Sequence, residues 1–182
     1  MSYLCNKQTK LLNLSNYLKY LEESFLVSKV ERYDIKGRKY ISTPFKYYYM
    51  DLGLRNALLN FRQFEEPHLM ENAIYNELIY RGFNVDVGVV EVRKDDHGKK
   101  IRKKLEVDFV VNHASQRYYI QSAFALRDQE KIEQEQASLL NIPDSFKKMI
   151  ISGSNTPIWR NEAGITFIGL FDFMLNENSL EF

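Results

Sequence analysis

The chain has 182 residues, of which 45% are hydrophobic and 27% charged, with a net charge of +1. That composition suits a soluble globular protein and supplies no global field for nucleic acid or membranes, so any such partner needs a local patch. Cys5 is the only cysteine, which excludes an intrachain disulfide or a cysteine-rich zinc site and favours a reducing, cytoplasmic compartment. No apolar run reaches the roughly 18 residues of a membrane-spanning helix. The start, MSYLCNKQTK, lacks the apolar core of a signal peptide, so no membrane partner is expected.

Taken in chain order, Asn13 to Glu23 reads as a helix, with Leu14, Tyr17, Leu18 and Leu21 at helical spacing and Asn13 or Ser15 as cap. Phe25 to Tyr33 reads as a strand, DIKGRK as a turn, and KYISTP then KYYYMDLGL as returning strands. Helix, strand, turn, strand is the end of a winged helix whose earlier helices are missing or short. One helix and a free hairpin bury little, so this segment is expected to pack on the rest of the chain. FRQFEEP, residues 61–67, is the expected boundary, dividing the chain into 1–60 and 61–182. Beyond it, His68 to Tyr80 is a helix stopped by Gly82. Asn84 to Arg93 is a strand, KDDHGKK a hairpin turn, and Leu105 to Asn112 and Tyr118 to Leu126 are further strands. Asp128 to Leu140 is a helix. Lys148 to Ser152 and Ile165 to Leu170 are strands, and Phe171 to Leu175 is helical. That order predicts an α/β (α+β) fold with a mixed sheet flanked by helices.

Two polar residues interrupt the apolar strands. Asp108 lies among Val107, Phe109, Val110 and Val111, and Gln121 follows Ile120. Strand alternation puts Glu106, Asp108 and Val110 on one side and Val107, Phe109 and Val111 on the other, with Gln121 and Ala123 sharing a side of the next strand. On the helix, Glu71 shares the face of Ile74, Tyr75 and Leu78, whereas Glu77 is offset and reads as solvated. A carboxylate on an apolar face must be paired or bound to metal. Neighbouring strands would bring Asp108 and Gln121 together, and Glu71 would close a three-oxygen cluster suited to Mg²⁺ or Mn²⁺. The alternative is a buried pair satisfied by backbone N–H groups or an arginine, with Gln121 bonding across the sheet.

This order of residues resembles the PD-(D/E)XK nuclease superfamily. The resemblance implies a restriction-endonuclease-like sheet and a catalytic and metal-binding set of Glu71, Asp108 and Gln121. It also implies a lysine where Ala123 stands, the group that would orient water or stabilise phosphate charge. Lys131 on the next helix is a conceivable substitute. A broader resemblance rests on LSNYLKYLEESFLVSKVERYDIKGRKYISTPFKYYYMDLGLRNALLN, ENAIYNELIYRGFNVDVG, EVDFVV and YYIQSAFAL. These are similar to the C-terminal half of a family of bacterial and archaeal AAA+ ATPases, in which a winged helix and a nuclease-like domain of undefined function follow the ATPase. The chain has no Gly-rich phosphate loop of the Walker type. ATP hydrolysis is therefore not expected of it, and a fragment or a remnant beginning inside the winged helix is.

Arg93 to Lys104 carries seven basic residues against two Asp, a local charge of +5. Lys99, Lys100, Arg102, Lys103 and Lys104 are the candidate nucleic-acid contacts. The run also suits a solvated hairpin tip that guards a strand edge. Tyr40, Tyr47, Tyr48 and Tyr49 would stack on bases or pack the hairpin against the larger domain. His68 and His113 show no metal-ligand spacing. Three functions are expected to compete. One is a degenerate nuclease-like domain that binds DNA or regulates an ATPase. Another is an active Mg²⁺-dependent endonuclease of the Holliday-junction-resolvase kind. The third is a protein-interaction or homo-oligomerisation module for an ATPase domain.

Overall fold

A computed structural model describes residues 14–96 and 99–182 and, of residues 43, 93–96 and 99–101, the backbone alone. Helix α1 covers 14–23; Cys5 and Asn13 lie outside the described residues. β1 (Val27–Asp34) and β2 (Lys39–Tyr49) form an antiparallel hairpin. Its turn is pinned by Asp34, whose Oδ1 accepts the Gly37 N–H at 2.9 Å. The strand expected over KYYYMDLGL ends at Tyr49. Asp51 then accepts the Leu54 N–H at 2.9 Å and caps helix α2 (Leu52–Leu58), a local bond that outcompetes strand pairing there.

Helix α3 (Glu66–Tyr80) takes Pro67 into its first turn, where its missing N–H costs nothing. FRQFEEP therefore leads into a helix. Gly82, at φ +82°, ends it as expected. β3 (Asn84–Asp96), β4 (Lys99–His113) and β5 (Gln116–Ala123) follow, then α4 (Gln129–Leu140), capped by Asp128. β6 (Lys147–Ser152), β7 (Trp159–Arg160), β8 (Ile165–Gly169), α5 (Leu170–Leu175) and a 3₁₀ turn at Ser179–Glu181 complete the chain. The expected turn KDDHGKK is narrower than its sequence suggests. β3 runs to Asp96 and β4 starts at Lys99, with Asp95 opposite Lys100 and Asp96 opposite Lys99 in the ladder.

The eight strands form one mixed sheet in the order β2-β1-β3-β4-β5-β6-β8-β7. β1/β3, β5/β6 and β6/β8 are parallel, and the other pairs are antiparallel. The mixed sheet flanked by helices is thus the fold expected from the element order. α3 covers one face, with Met70, Ile74, Tyr75 and Leu78 packed on Phe109, Val111, Ile120, Met149 and Ile151. α4 covers the other, with Leu139 packed among Val107, Val110, Tyr119 and Ile150. The sheet also runs across the expected division at residues 60 and 61, because β1 lies beside β3 with Arg32 opposite Val87.

One irregularity positions the site. The β3/β4 register slips between Asp86 and Gly88. Val107 and Val110, three residues apart, both pack on the α4 side, and Phe109 packs on the α3 side. This is a β-bulge, which corrects the simple alternation: Val110 does not share the side of Glu106 and Asp108. Gly88 makes room for it, since a Cβ there would sit 2.9 Å from Ile35, Val107 and Val110.

Candidate functional site

The hairpin is sewn onto α3 by polar bonds that its sequence does not advertise. Asn72 accepts the Tyr49 N–H at 2.9 Å and donates to the Tyr49 carbonyl at 2.7 Å. The Ser28 and Tyr75 hydroxyls meet at 2.6 Å, and Tyr48 stacks on Tyr75 with centroids 4.1 Å apart. Of the two roles expected for the tyrosine run, packing is the one Tyr48 adopts. Tyr40 remains exposed, edge-on to Tyr33, and donates to Asp86 at 3.2 Å.

This docking carries Lys46, two residues before Tyr48 on the same side of β2, over the acids. Its Nζ lies 2.5 Å from Glu71 Oε1 and 3.0 Å from Glu106 Oε1. The Tyr48 hydroxyl donates to the same Glu71 oxygen at 2.6 Å. Arg32 pairs with the other oxygen of Glu106. Asp108 is buried and accepts the Ser122 N–H at 2.8 Å.

The charges respond accordingly. Burial, reinforced by Glu71, pushes the Asp108 carboxyl up to about 7, against the pull of Lys46 and the Ser122 N–H. Burial acts to lower Lys46, but Glu71, Asp108 and Glu106 outweigh it and hold the ammonium above its ordinary value. Burial likewise opposes ionisation of Glu106, yet Lys46 and Arg32 hold it below the usual range. Tyr48 is pushed upward by burial and by Glu71, so it remains a neutral donor.

The structure brings Glu71 and Asp108 to one place but not Gln121. Ile120 faces α3, so its neighbour Gln121 faces α4, where its Oε1 accepts the Ser138 hydroxyl at 3.3 Å. Ala123 is buried on that side too, so a lysine there would not point at Asp108. Lys131 pairs with Glu135 at 2.6 Å. The only lysine shown among these acids is Lys46, which the sequence reading missed; its signal was the period-two spacing to Tyr48 on an inward strand face. Glu77 is not simply solvated either: it holds the buried Arg81 at 2.7 Å, and Arg81 in turn caps the Phe173 carbonyl and the Ser179 hydroxyl.

A hard divalent ion needs several carboxylate or carbonyl oxygens free to converge on it. Here an ammonium stands between Glu71 and Glu106, and Gln121 points to the opposite face. Among the described residues no group of three or more His, Cys, Asp or Glu side chains has metal-holding geometry. The residues present do not fit Mg²⁺ or Mn²⁺.

The basic run lies on the long β3–β4 ribbon. Arg102, Lys103 and Lys104 are exposed, and Arg102 reaches Glu91 at 3.6 Å. Lys99 and Lys100 are strand residues whose side chains lie outside the description, and His97 lies outside the described residues. His113 packs edge-on against Phe83. No described helix is long and apolar enough to cross a membrane.

A family characterised only as a domain of unknown function, DUF8612, matches residues 5–65, the stretch from before α1 to the start of α3. An uncharacterized protein of Haemophilus influenzae is 34% identical over 140 residues, covering 77% of this chain. The chain spans 31% of that relative's length. No solved structure matches this chain.

Proposed function

We propose that this chain is a nuclease-like module that binds nucleic acid without cutting it, within a larger ATPase-type assembly. The observation that carries this is the neutralised acid site. Glu71 and Asp108 lie together as the nuclease resemblance requires, but Lys46 pairs with Glu71 and Glu106 as a covalently tethered cation, and Asp108 is bonded by the Ser122 N–H. With Glu71 and Glu106 already paired to Lys46 and Arg32, few oxygens are left free to converge on a divalent ion and its phosphate. Binding is then carried by the exposed Arg102, Lys103 and Lys104 of the ribbon. The larger assembly is supported by the chain matching less than a third of its Haemophilus relative.

The test is fluorescence anisotropy with single-stranded, duplex and branched DNA across a salt series, paired with incubation in Mg²⁺ or Mn²⁺. The expected outcome is salt-sensitive binding and intact DNA. Affinity indifferent to salt and to loss of the ribbon charges would sink the binding reading. Metal-dependent strand breaks lost in Asp108→Ala would sink the non-cutting one.

A second reading is favoured by the N-terminal helices. α2 buries none of its residues, and Leu14, Tyr17, Tyr20, Phe25, Leu58 and Phe61 are all exposed. Apolar exposure of this extent among the described residues supports a protein-contact role. Light scattering of the isolated chain and of the chain mixed with an ATPase domain tests it; a monomer that ignores the ATPase domain would count against this reading.

A further inference from the structure

The feature left unexplained is Gln121. It points into a cavity of about 550 Å³ between α4 and the β4–β5 part of the sheet. α4 ought to present apolar residues to the sheet, and with Leu139 it does. Yet along the cavity it presents Gln134, Ser138 and Asn141, at the spacing of one helical face. Lys103 and Leu105 of the ribbon form the opposite wall. Ser138 is buried there, and the Gln134 and Asn141 amides stand exposed at the cavity mouth.

The hydrogen-bond inventory points to an occupant. Gln121 Oε1 takes the Ser138 hydroxyl, and Asn141 Nδ2 donates to the Ala137 carbonyl. Among the described residues, no partner is shown for the Gln121 Nε2 donors, the Asn141 Oδ1 acceptor or the Gln134 amide. Every fully buried side-chain polar atom among the described residues has a partner, so these atoms face the open space. Glu135 at the rim is engaged by Lys131 at 2.6 Å, and Lys103 supplies a cation at the ribbon wall. The site thus offers mixed donors and acceptors, an apolar wall in Val92 and Leu105, and the Lys103 ammonium, with Glu106 and Glu135 also on the lining and each already paired to a cation. Its volume lies within the roughly 300–1,000 Å³ usual for small-ligand pockets.

We propose that this cavity takes one unpaired purine base of a bound nucleic-acid strand, with the adjoining phosphate on Lys103. Side-chain amides pair with the donor and acceptor edge of adenine in two-point fashion, and a base reaches such a pocket only when it leaves its stack. The inference deepens the nucleic-acid reading above and rests on it for the occupant. It also makes the ribbon and the cavity one continuous surface, since Lys103 belongs to both.

The experiment uses single-stranded oligonucleotides carrying 2-aminopurine at successive positions, and AMP as a free probe. Wild type is expected to raise 2-aminopurine fluorescence at one position per site, and AMP is expected to shift the side-chain amide signals of Gln121, Gln134 and Asn141 in NMR spectra. Gln121→Leu, close in size, and Gln134→Ala, at an exposed position, are expected to abolish the fluorescence rise. Each should weaken strand binding by roughly tenfold. Strand binding with no fluorescence change at any position overturns the base site and leaves the nucleic-acid reading standing. An AMP response without strand binding keeps the base site and removes that reading. Neither strand binding nor an AMP response overturns both.

Discussion

Replacing Lys46 with Met keeps most of the side-chain volume and removes the charge that holds the acid site together. Three carboxylates would then share one enclosure, with Arg32 left for Glu106 alone. Deleting one partner of a fully buried ion pair costs about 3–5 kcal/mol. Lys46 and Glu71 retain 24% and 13% side-chain exposure, so the screened cost is about 2–4 kcal/mol. For a chain of this length that is a fall in Tm of about 5–15 °C. Thermal and urea unfolding would read it directly. The same variant should also acquire a response to Mn²⁺. At a concentration one hundred times its Kd, the ion would restore about 2.7 kcal/mol, whereas wild type should show no shift. Two results would refute the reasoning: a Lys46→Met variant within about 0.5 kcal/mol of wild type, the size of an ordinary surface substitution, or a wild type stabilised by Mn²⁺ as strongly as the variant.

Asp108 sets a pH dependence. Its carboxyl is raised in the folded state to about 7, so its contribution is fully present below its unfolded value near 4 and is lost as pH rises through 7. Urea unfolding between pH 5 and 8 should show stability falling with pH, and Asp108→Asn should flatten that slope. Gly88→Ala would push a Cβ to within 2.9 Å of Val107 and Val110, costing about 1–3 kcal/mol as overpacking and moving the bulge that aims Asp108; NMR shifts at Asp108 and Ser122 would report the movement. Replacing Arg102, Lys103 and Lys104 together by Ala should reduce the slope of log affinity against log salt for single strands by about 2, measured by anisotropy. Arg81→Ala strips the cap from the Phe173 carbonyl and leaves Glu77 unpaired, so a stability loss of about 3 kcal/mol is expected in calorimetry.

The helices and strands of the second segment were readable because their signals are local. Gly82 stops α3, Asp128 caps α4, and the apolar runs of β6 and β8 are short and unbroken. Asp51 was equally local, but the aromatic run before it read as continuing strand. The acid pair was legible from α3 periodicity and the odd carboxylate at position 108. What could not be read was the bulge, since it depends on cross-strand register rather than on any residue's own preference. Alternation alone therefore sent Asp108 and Gln121 to the same place, and the sheet sends them to opposite faces. Lys46 was hidden for a related reason. Its partners lie 25 and 60 residues away, and only the docking of the hairpin through Asn72 and Tyr75 brings them together.

The parallel pairing of β1 with β3 also decides where the chain can be cut. An expression boundary near residue 61 looks attractive on the page, because polar residues and a proline stand there. A fragment starting at that point would expose the backbone edge of β3, an open template for another chain, and would strand Glu71, Glu106 and Asp108 without their ammonium. Truncations of that kind should precipitate or self-associate, whereas those that retain the hairpin should stay dispersed.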